Sequence, residues 1–221
     1  MGLYTMGVPE NLVRILQKEC KADTFVETGT FMGGTSVWAS SYFKKVITIE
    51  NSRAIFEKTS DTYKHIPNID FLFGNSKDHL KKIVSNLNHT AIFWLDAHWS
   101  GGETYGINDE CPLIDEIKII NSATFNHIIL VDDARLFVKP PPRPHKAEQW
   151  ANITQIISEL NVVKNRYCFI ADDVIGAVPD SILQSLFPYF DNAILFEQNL
   201  AAQIAAQKTS LLSRMKRKIN F

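Results

Sequence analysis

Cysteine is scarce in this chain, and no apolar run in it is long. Cys20, Cys111 and Cys168 are the three cysteines, widely separated, odd in number and without a CxxC pair. That argues against a disulfide framework or a structural zinc site and for a reducing compartment. The longest uncharged stretches, such as Phe31–Phe43, are too short and too polar to span a bilayer. The first residues lack the basic-then-apolar order of a signal peptide, so none is expected. Net charge is also nearly absent, at -1, which leaves no global electrostatic reason to expect nucleic acid as a partner. No internal repeat or low-complexity tract is present. The expectation is a cytoplasmic protein whose 45% apolar residues suffice for one sizeable core.

One further absence is local. No acidic residue follows Glu197, whereas Lys208, Arg214, Lys216, Arg217 and Lys218 are basic. Leu200, Ile204, Leu211, Leu212, Met215 and Ile219 recur there at roughly helical spacing. Residues 199–221 are therefore expected to form a basic amphipathic helix beyond a single domain at 1–198. Such a helix docks on the domain or on the second subunit of a homodimer. The sharper alternative is peripheral contact with an anionic membrane or a lipid-linked substrate.

What the chain does have is short apolar runs alternating with helical patterns. "DTFVET", "KVITIE", "IDFLF", "AIFWLD" and "HIILVDD" are nearly continuous in Val, Ile and Phe, as in strands buried on both faces of a parallel sheet. Helical spacing is predicted over Pro9–Cys20, Gly34–Tyr42, Ser52–Lys64, Ser76–Asn86 and Glu110–Asn121. This alternation means βαβ units and a three-layer α/β domain. The prolines of 140–144 exclude regular structure there. A helix over Glu148–Leu160 follows, and "NRYCFIADDVIGAVP" reads as a terminal antiparallel hairpin turning at Asp172-Asp173. Ser181–Phe196 is ambiguous.

"FVETGTFMGGTS" places Gly29, Gly33 and Gly34 between the first strand and a helix, where backbone can approach a ligand. Thr30, Thr35 and Ser36 lie in the same turn. Glu50 ends the second strand, the position from which a carboxylate accepts ribose hydroxyls in dinucleotide-binding folds. The glycine spacing is not GxGxxG, which disfavours a nicotinamide dehydrogenase. Glu27-x-Gly29 with Glu50 resembles the class I S-adenosyl-L-methionine (SAM)-dependent methyltransferases, of Rossmann-like fold. That resemblance implies Glu27 near the methionine end of SAM, Glu50 on its ribose, and Asn75 and Ser76 of "FLFGNSKDHL" near its adenine.

In such a fold the fourth and fifth strands deliver Asp96, Asp132 and Asp133 to one crevice, with Asp96 at the transferable methyl. Each aspartate alone reads as an ordinary turn or helix cap, and His98 alone as a loop residue. Together they are a cluster of like charges that a hard divalent ion, magnesium, would stabilise. The set resembles the metal-dependent sugar O-methyltransferases of the macrocin and mycinose type, which carry Asp-Gly-Asp and Asp-Asp at these strand ends. The resemblance implies Asp96, Asp132 and Asp133 as magnesium ligands. It also puts His98 of Asp96-Ala97-His98 at the position of the general base, a role a neutral imidazole can fill. Trp99, Glu103, Tyr105 and Arg135 are expected to shape the acceptor pocket. Arg135, Lys139, Arg143, His145 and Lys146 make the proline-rich segment a candidate lid over an anionic acceptor such as a nucleotide sugar.

The expected function is O-methyl transfer to a sugar, nucleotide sugar or glycan precursor. The alternatives are a metal-dependent hydroxylase or lyase on the same scaffold, or a non-enzymatic cofactor-binding assembly subunit. A nucleic-acid base methyltransferase is disfavoured, because "LDAHW" stands where those enzymes carry Asn/Asp-Pro-Pro-aromatic.

Overall fold

The computed structural model describes residues 7–98, 109–192 and 194. Helix α1 (Glu10–Cys20) precedes strand β1 (Thr24–Thr28). Then follow α2 (Gly34–Ser40), β2 (Lys45–Glu50), α3 (Arg53–Tyr63), β3 (Ile69–Phe73), α4 (Ser76–Asn86) and β4 (Ile92–Leu95). The second half holds α5 (Leu113–Asn121), β5 (Ile128–Val131), α6 (Ile153–Leu160) and the hairpin β6 (Arg166–Ala171) and β7 (Val174–Pro179). Residues 183–192, ambiguous in sequence, are helical. Among the described residues no helix is long and apolar enough to cross a membrane.

The strands form one seven-stranded sheet in the order β3-β2-β1-β4-β5-β7-β6. β1 to β5 pair in parallel, while β7 is antiparallel to both β5 and β6. β1, β4 and β5 are buried along their whole length, which is why their sequences show little alternation. Side chains still alternate between faces. Val26, Phe93, Leu95, Ile129 and Val131 pack under α4, α5 and α6. Phe25, Ile92, Trp94, Ile128 and Leu130 pack under α1, α2 and the 183–192 helix. The three-layer expectation is met.

Two helices start later than their periodicity suggests. α5 begins after Cys111-Pro112 rather than at Glu110, because Glu110 is used elsewhere. α6 begins at a capping box in which Asn152 and Gln155 satisfy each other's backbone N–H groups, rather than at Glu148. The hairpin turn places Asp172 and Asp173 at φ 48° and 63°, the left-handed pair a tight hairpin requires.

The order reverses between β1 and β4: β1 leads outward to β2 and β3, and β4 leads the other way. The crevice at the carboxyl ends of β1 and β4 is where open α/β sheets bind ligands, and Gly29, Glu50, Asp96 and Asp132 end or follow the strands around it.

Candidate active site

Alternation along β1 sends Glu27 toward α2 and Thr28 toward α5. Glu27 is buried, and its Oε2 accepts hydrogen bonds from Ser36 Oγ and, at 2.7 Å, from Thr48 Oγ1. Burial pushes its pKa up to about 7; the hydroxyls of Ser36, Thr48 and Thr35 pull the other way, and the charge of Glu50 adds to the rise. Thr30 and Thr48 share a 2.6 Å hydrogen bond. Glu27, Thr30, Thr35 and Ser36 thus form one buried hydroxyl–carboxylate network beneath the turn.

The turn itself is shaped by Gly29 at φ +87°, where a Cβ would lie 2.3 Å from the Asp96 carbonyl oxygen. Only glycine permits that approach of β1 to the end of β4. Gly33 caps α2 in the left-handed region at φ 78°. Glu50, at the end of β2, accepts from the Phe31 N–H at 3.0 Å and, on its other oxygen, from the Ser52 N–H at 2.8 Å. Both carboxylate oxygens are therefore fixed, and each keeps further acceptor capacity. Beside it Phe31 and Met32 are 52% and 48% exposed, an apolar surface at the mouth of the crevice.

The side chains of Asn75 and Ser76 face different partners. Asn75 caps α4 through its side chain, accepting from the Lys77 N–H at 2.9 Å. Ser76 is buried and hydrogen-bonds Glu116 of α5. Glu116 was not foreseen in the sequence. It is 1% exposed, also receives Thr28 Oγ1 at 3.4 Å, and its Oε1 has no hydrogen-bond partner among the described residues. Burial raises its pKa to about 7 against the Ser76 and Thr28 hydroxyls. Glu116 also lines a small cavity beneath Ala97 and His98.

The structure does bring Asp96, His98, Asp132, Asp133 and Arg135 together. His98 Nε2 lies 2.9 Å from Asp133 Oδ2, and its Nδ1 lies 3.5 Å from Asp96 Oδ1. Arg135 contacts the other oxygen of Asp133 at 2.5 Å and also pairs with Asp173, in the β6–β7 turn. Asp133, at φ 57°, turns back toward these side chains, and its N–H donates to Asp132 Oδ1 at 2.7 Å. Burial raises the Asp96 pKa well above the usual carboxylate range, and the charges of Asp132, Glu27, Asp133 and Glu116 add to it. Burial and the Asp133 charge push Asp132 up to about 6. Burial would raise Asp133 as well, but its contacts with His98 and Arg135 outweigh burial and lower it.

Those contacts bear on the expected magnesium. Among the described residues no group of three or more His, Cys, Asp or Glu is arranged to hold a metal ion. Asp133 pairs instead with the His98 imidazole and the Arg135 guanidinium, so the carboxylates do not stand as the ligand set expected from the sequence.

Glu110, another residue missed in the sequence, anchors the proline-rich segment. Its buried carboxylate accepts from Trp150 Nε1 at 2.8 Å and from the Lys146 N–H at 3.0 Å. The segment is thus fastened to the domain near His98, whose ring meets Trp150 edge-to-face at 5.4 Å. Trp99, Glu103 and Tyr105 lie outside the described residues, as does the basic stretch 199–221.

No protein-family model and no curated protein matches the chain by sequence. Solved structures do match it by fold. The S-adenosylhomocysteine-bound methyltransferase PaMTH1 of Podospora anserina has a TM-score of 0.51 and 16% identity, covering 76% of each chain. A candidate caffeoyl-CoA O-methyltransferase from Staphylococcus aureus has 0.53 and 12%, covering 76% of this chain and 80% of its own. A candidate rRNA methylase from Clostridium thermocellum has 0.51 and 12%, covering 78% and 97%. At these identities the likeness establishes the fold: a Rossmann-like sheet of the methyltransferase type.

Proposed function

We propose that this chain transfers a methyl group from SAM to a hydroxyl, on a sugar, nucleotide sugar or glycan precursor. The observation that carries the reading is the pairing of two features at one crevice. Glu50 stands oriented by two backbone N–H groups beside the Gly29 turn, and the Asp96–His98–Asp133 array stands across that turn at the end of β4.

The residues at the turn fit SAM. Glu50 has acceptor capacity for two ribose hydroxyls, Gly29 clears the floor of the crevice, and Phe31 and Met32 offer apolar surface. The surrounding carboxylates favour a cation, which suits a sulfonium. When bound, SAM supplies a methyl group on positively charged sulfur. His98 would take the acceptor's hydroxyl proton as the oxygen's electron pair forms the new C–O bond and the methyl–sulfur bond breaks, its electron pair leaving with sulfur as S-adenosylhomocysteine. The tautomer that satisfies Asp133 carries its proton on Nε2 and leaves the Nδ1 lone pair as acceptor, on the side of Asp96. Asp133 holds the ring and stabilises the imidazolium that forms, as an orienting carboxylate does in other base-assisted sites. Arg135 and Asp173 in turn hold Asp133. No step is assigned to a metal, because Asp133 is held by His98 and Arg135.

The acceptor class rests on the strand-end pattern Asp96-Ala97-His98 with Asp132-Asp133 and its resemblance to sugar O-methyltransferases. The test is incubation with SAM and a panel of nucleotide sugars and glycans. S-adenosylhomocysteine and an acceptor heavier by one methylene are expected. A protein that fails to bind SAM in calorimetry would overturn the reading.

A further inference from the structure

We propose that Trp150 is a positioning residue for His98, held in place by the buried carboxylate of Glu110. The His98 ring is held at Nε2 by Asp133 at 2.9 Å, while its Nδ1 only faces Asp96, at 3.5 Å. A hydrogen bond at one ring nitrogen leaves the imidazole a freedom, rocking about its Cβ–Cγ bond. An edge-to-face neighbour removes it, and Trp150 is that neighbour, at 5.4 Å and an interplanar angle of 62°.

Trp150 itself cannot easily shift. Its indole N–H donates to Glu110 Oε2 at 2.8 Å, and its ring meets His145 at 5.0 Å and Phe137 at 5.6 Å. Glu110 is fixed in turn, accepting from the Lys146 N–H and donating its own N–H to Gln149 Oε1 at 3.0 Å. A carboxylate that is 1% exposed requires such partners. Burial would raise its pKa, but the hydrogen bonds from Trp150 and Lys146 and the neighbouring His145 outweigh burial and lower it. The proline-rich segment thus serves as the bracket that carries Trp150 to the imidazole.

The catalytic meaning of this bracket rests on His98 being the proton acceptor proposed above, whereas the test reads geometry alone. Diethyl pyrocarbonate acylates accessible imidazoles, and mass spectrometry resolves each histidine. Exposed His65 and fully buried His127 serve as internal references. In Trp150→Leu, His98 is expected to react about ten-fold faster, the factor for losing one aromatic contact near the top of its usual range. His65 and His127 keep their wild-type rates. Trp150→Phe keeps a ring edge against His98 but loses the bond to Glu110, so its rate falls between the two. Unchanged His98 labelling in both variants overturns the proposal. So does a parallel rise at His127, which would mark general loosening. Calorimetric titration with SAM separates the two claims: a wild-type protein that does not bind SAM counts against the proposed function and leaves the labelling result standing.

Discussion

His98 Nε2 and Asp133 Oδ2 lie 2.9 Å apart, although 35 residues separate them in the chain. β4 and β5 are hydrogen-bonded neighbours ending in register, Leu95 opposite Val131. Residues one to three positions past those ends therefore meet at the same rim. Asp133 then turns through its positive φ to face the imidazole rather than solvent.

This pair gives the first prediction. Asp133→Asn removes the charge that holds and stabilises the imidazolium while preserving shape. Positioned base catalysis commonly contributes about 10²–10⁴-fold, so kcat for S-adenosylhomocysteine formation should fall within that range. SAM affinity should stay within a few-fold in calorimetry. Wild-type kcat in a folded Asp133→Asn protein, under conditions where chemistry limits turnover, would remove Asp133 from the mechanism.

A second prediction concerns metal. The carboxylate oxygens of Asp133 face His98 and Arg135, and no group of three or more ligating side chains among the described residues is arranged to hold a metal ion, so turnover should survive excess chelator and gain nothing from added magnesium. Loss of activity in chelator with recovery on magnesium would show that the three aspartates rearrange around an ion, as the sequence pattern implies.

The contrast between those two predictions shows what the sequence does and does not carry. Strand ends are legible because β4 and β5 are apolar throughout and stop on aspartates, while the short apolar stretches of β1 and β2 run into Glu27 and Glu50, so Glu27, Asp96, Asp132 and Glu50 can be placed on one crevice from the sequence. Direction was not legible. The sequence puts Asp133 at a strand end but cannot show a backbone turn that aims it at His98. Ser76 stands where adenine contacts were expected, yet it faces inward because a buried acceptor, Glu116, waits on α5. Glu110, Glu116, Trp150 and Asp173 went unnoticed for a shared reason: their partners lie tens of residues away, and no local spacing marks them. The only hint at Glu110 was an acidic residue directly before Cys111-Pro112, which reads as a helix start.

The third prediction follows from the buried acids. Folding raises Glu27 and Glu116 to about 7 from an ordinary glutamate value of 4.5. An acid whose pKa is raised by folding contributes stability that is whole below the unfolded value and is lost as pH rises to the folded one. The unfolded state then binds fewer protons, and the slope of stability against pH is negative. Stability from denaturant unfolding should therefore fall between about pH 4.5 and 7, by at most roughly 3 kcal/mol for each group. Glu116→Gln, which cannot ionise, should flatten part of that slope. A variant with the wild-type slope would mean that Glu116 does not titrate in this window.

The last prediction concerns Glu50, on which the cofactor reading rests most directly. Its carboxylate accepts from Phe31 and Ser52 N–H groups on the side of the protein and has capacity left on the side of the crevice. Hydrogen bonds to a charged group contribute about 1.5–3 kcal/mol, so Glu50→Ala should weaken SAM by about ten- to 150-fold in calorimetry. That variant also frees the Phe31 N–H, and a slack turn alone could lower affinity. Glu50→Gln separates the two effects. Its carbonyl oxygen can still accept from one backbone N–H, but it presents a donor where a carboxylate presented an acceptor. If ribose hydroxyls are what Glu50 holds, Glu50→Gln should lose most of the affinity lost by Glu50→Ala. It should also bind 2′-deoxy and 3′-deoxy analogues of S-adenosylhomocysteine nearly as well as S-adenosylhomocysteine itself, whereas the wild type discriminates strongly. Equal affinity of the wild type for the deoxy analogues would assign Glu50 to the turn alone and take the ribose contact out of the proposal.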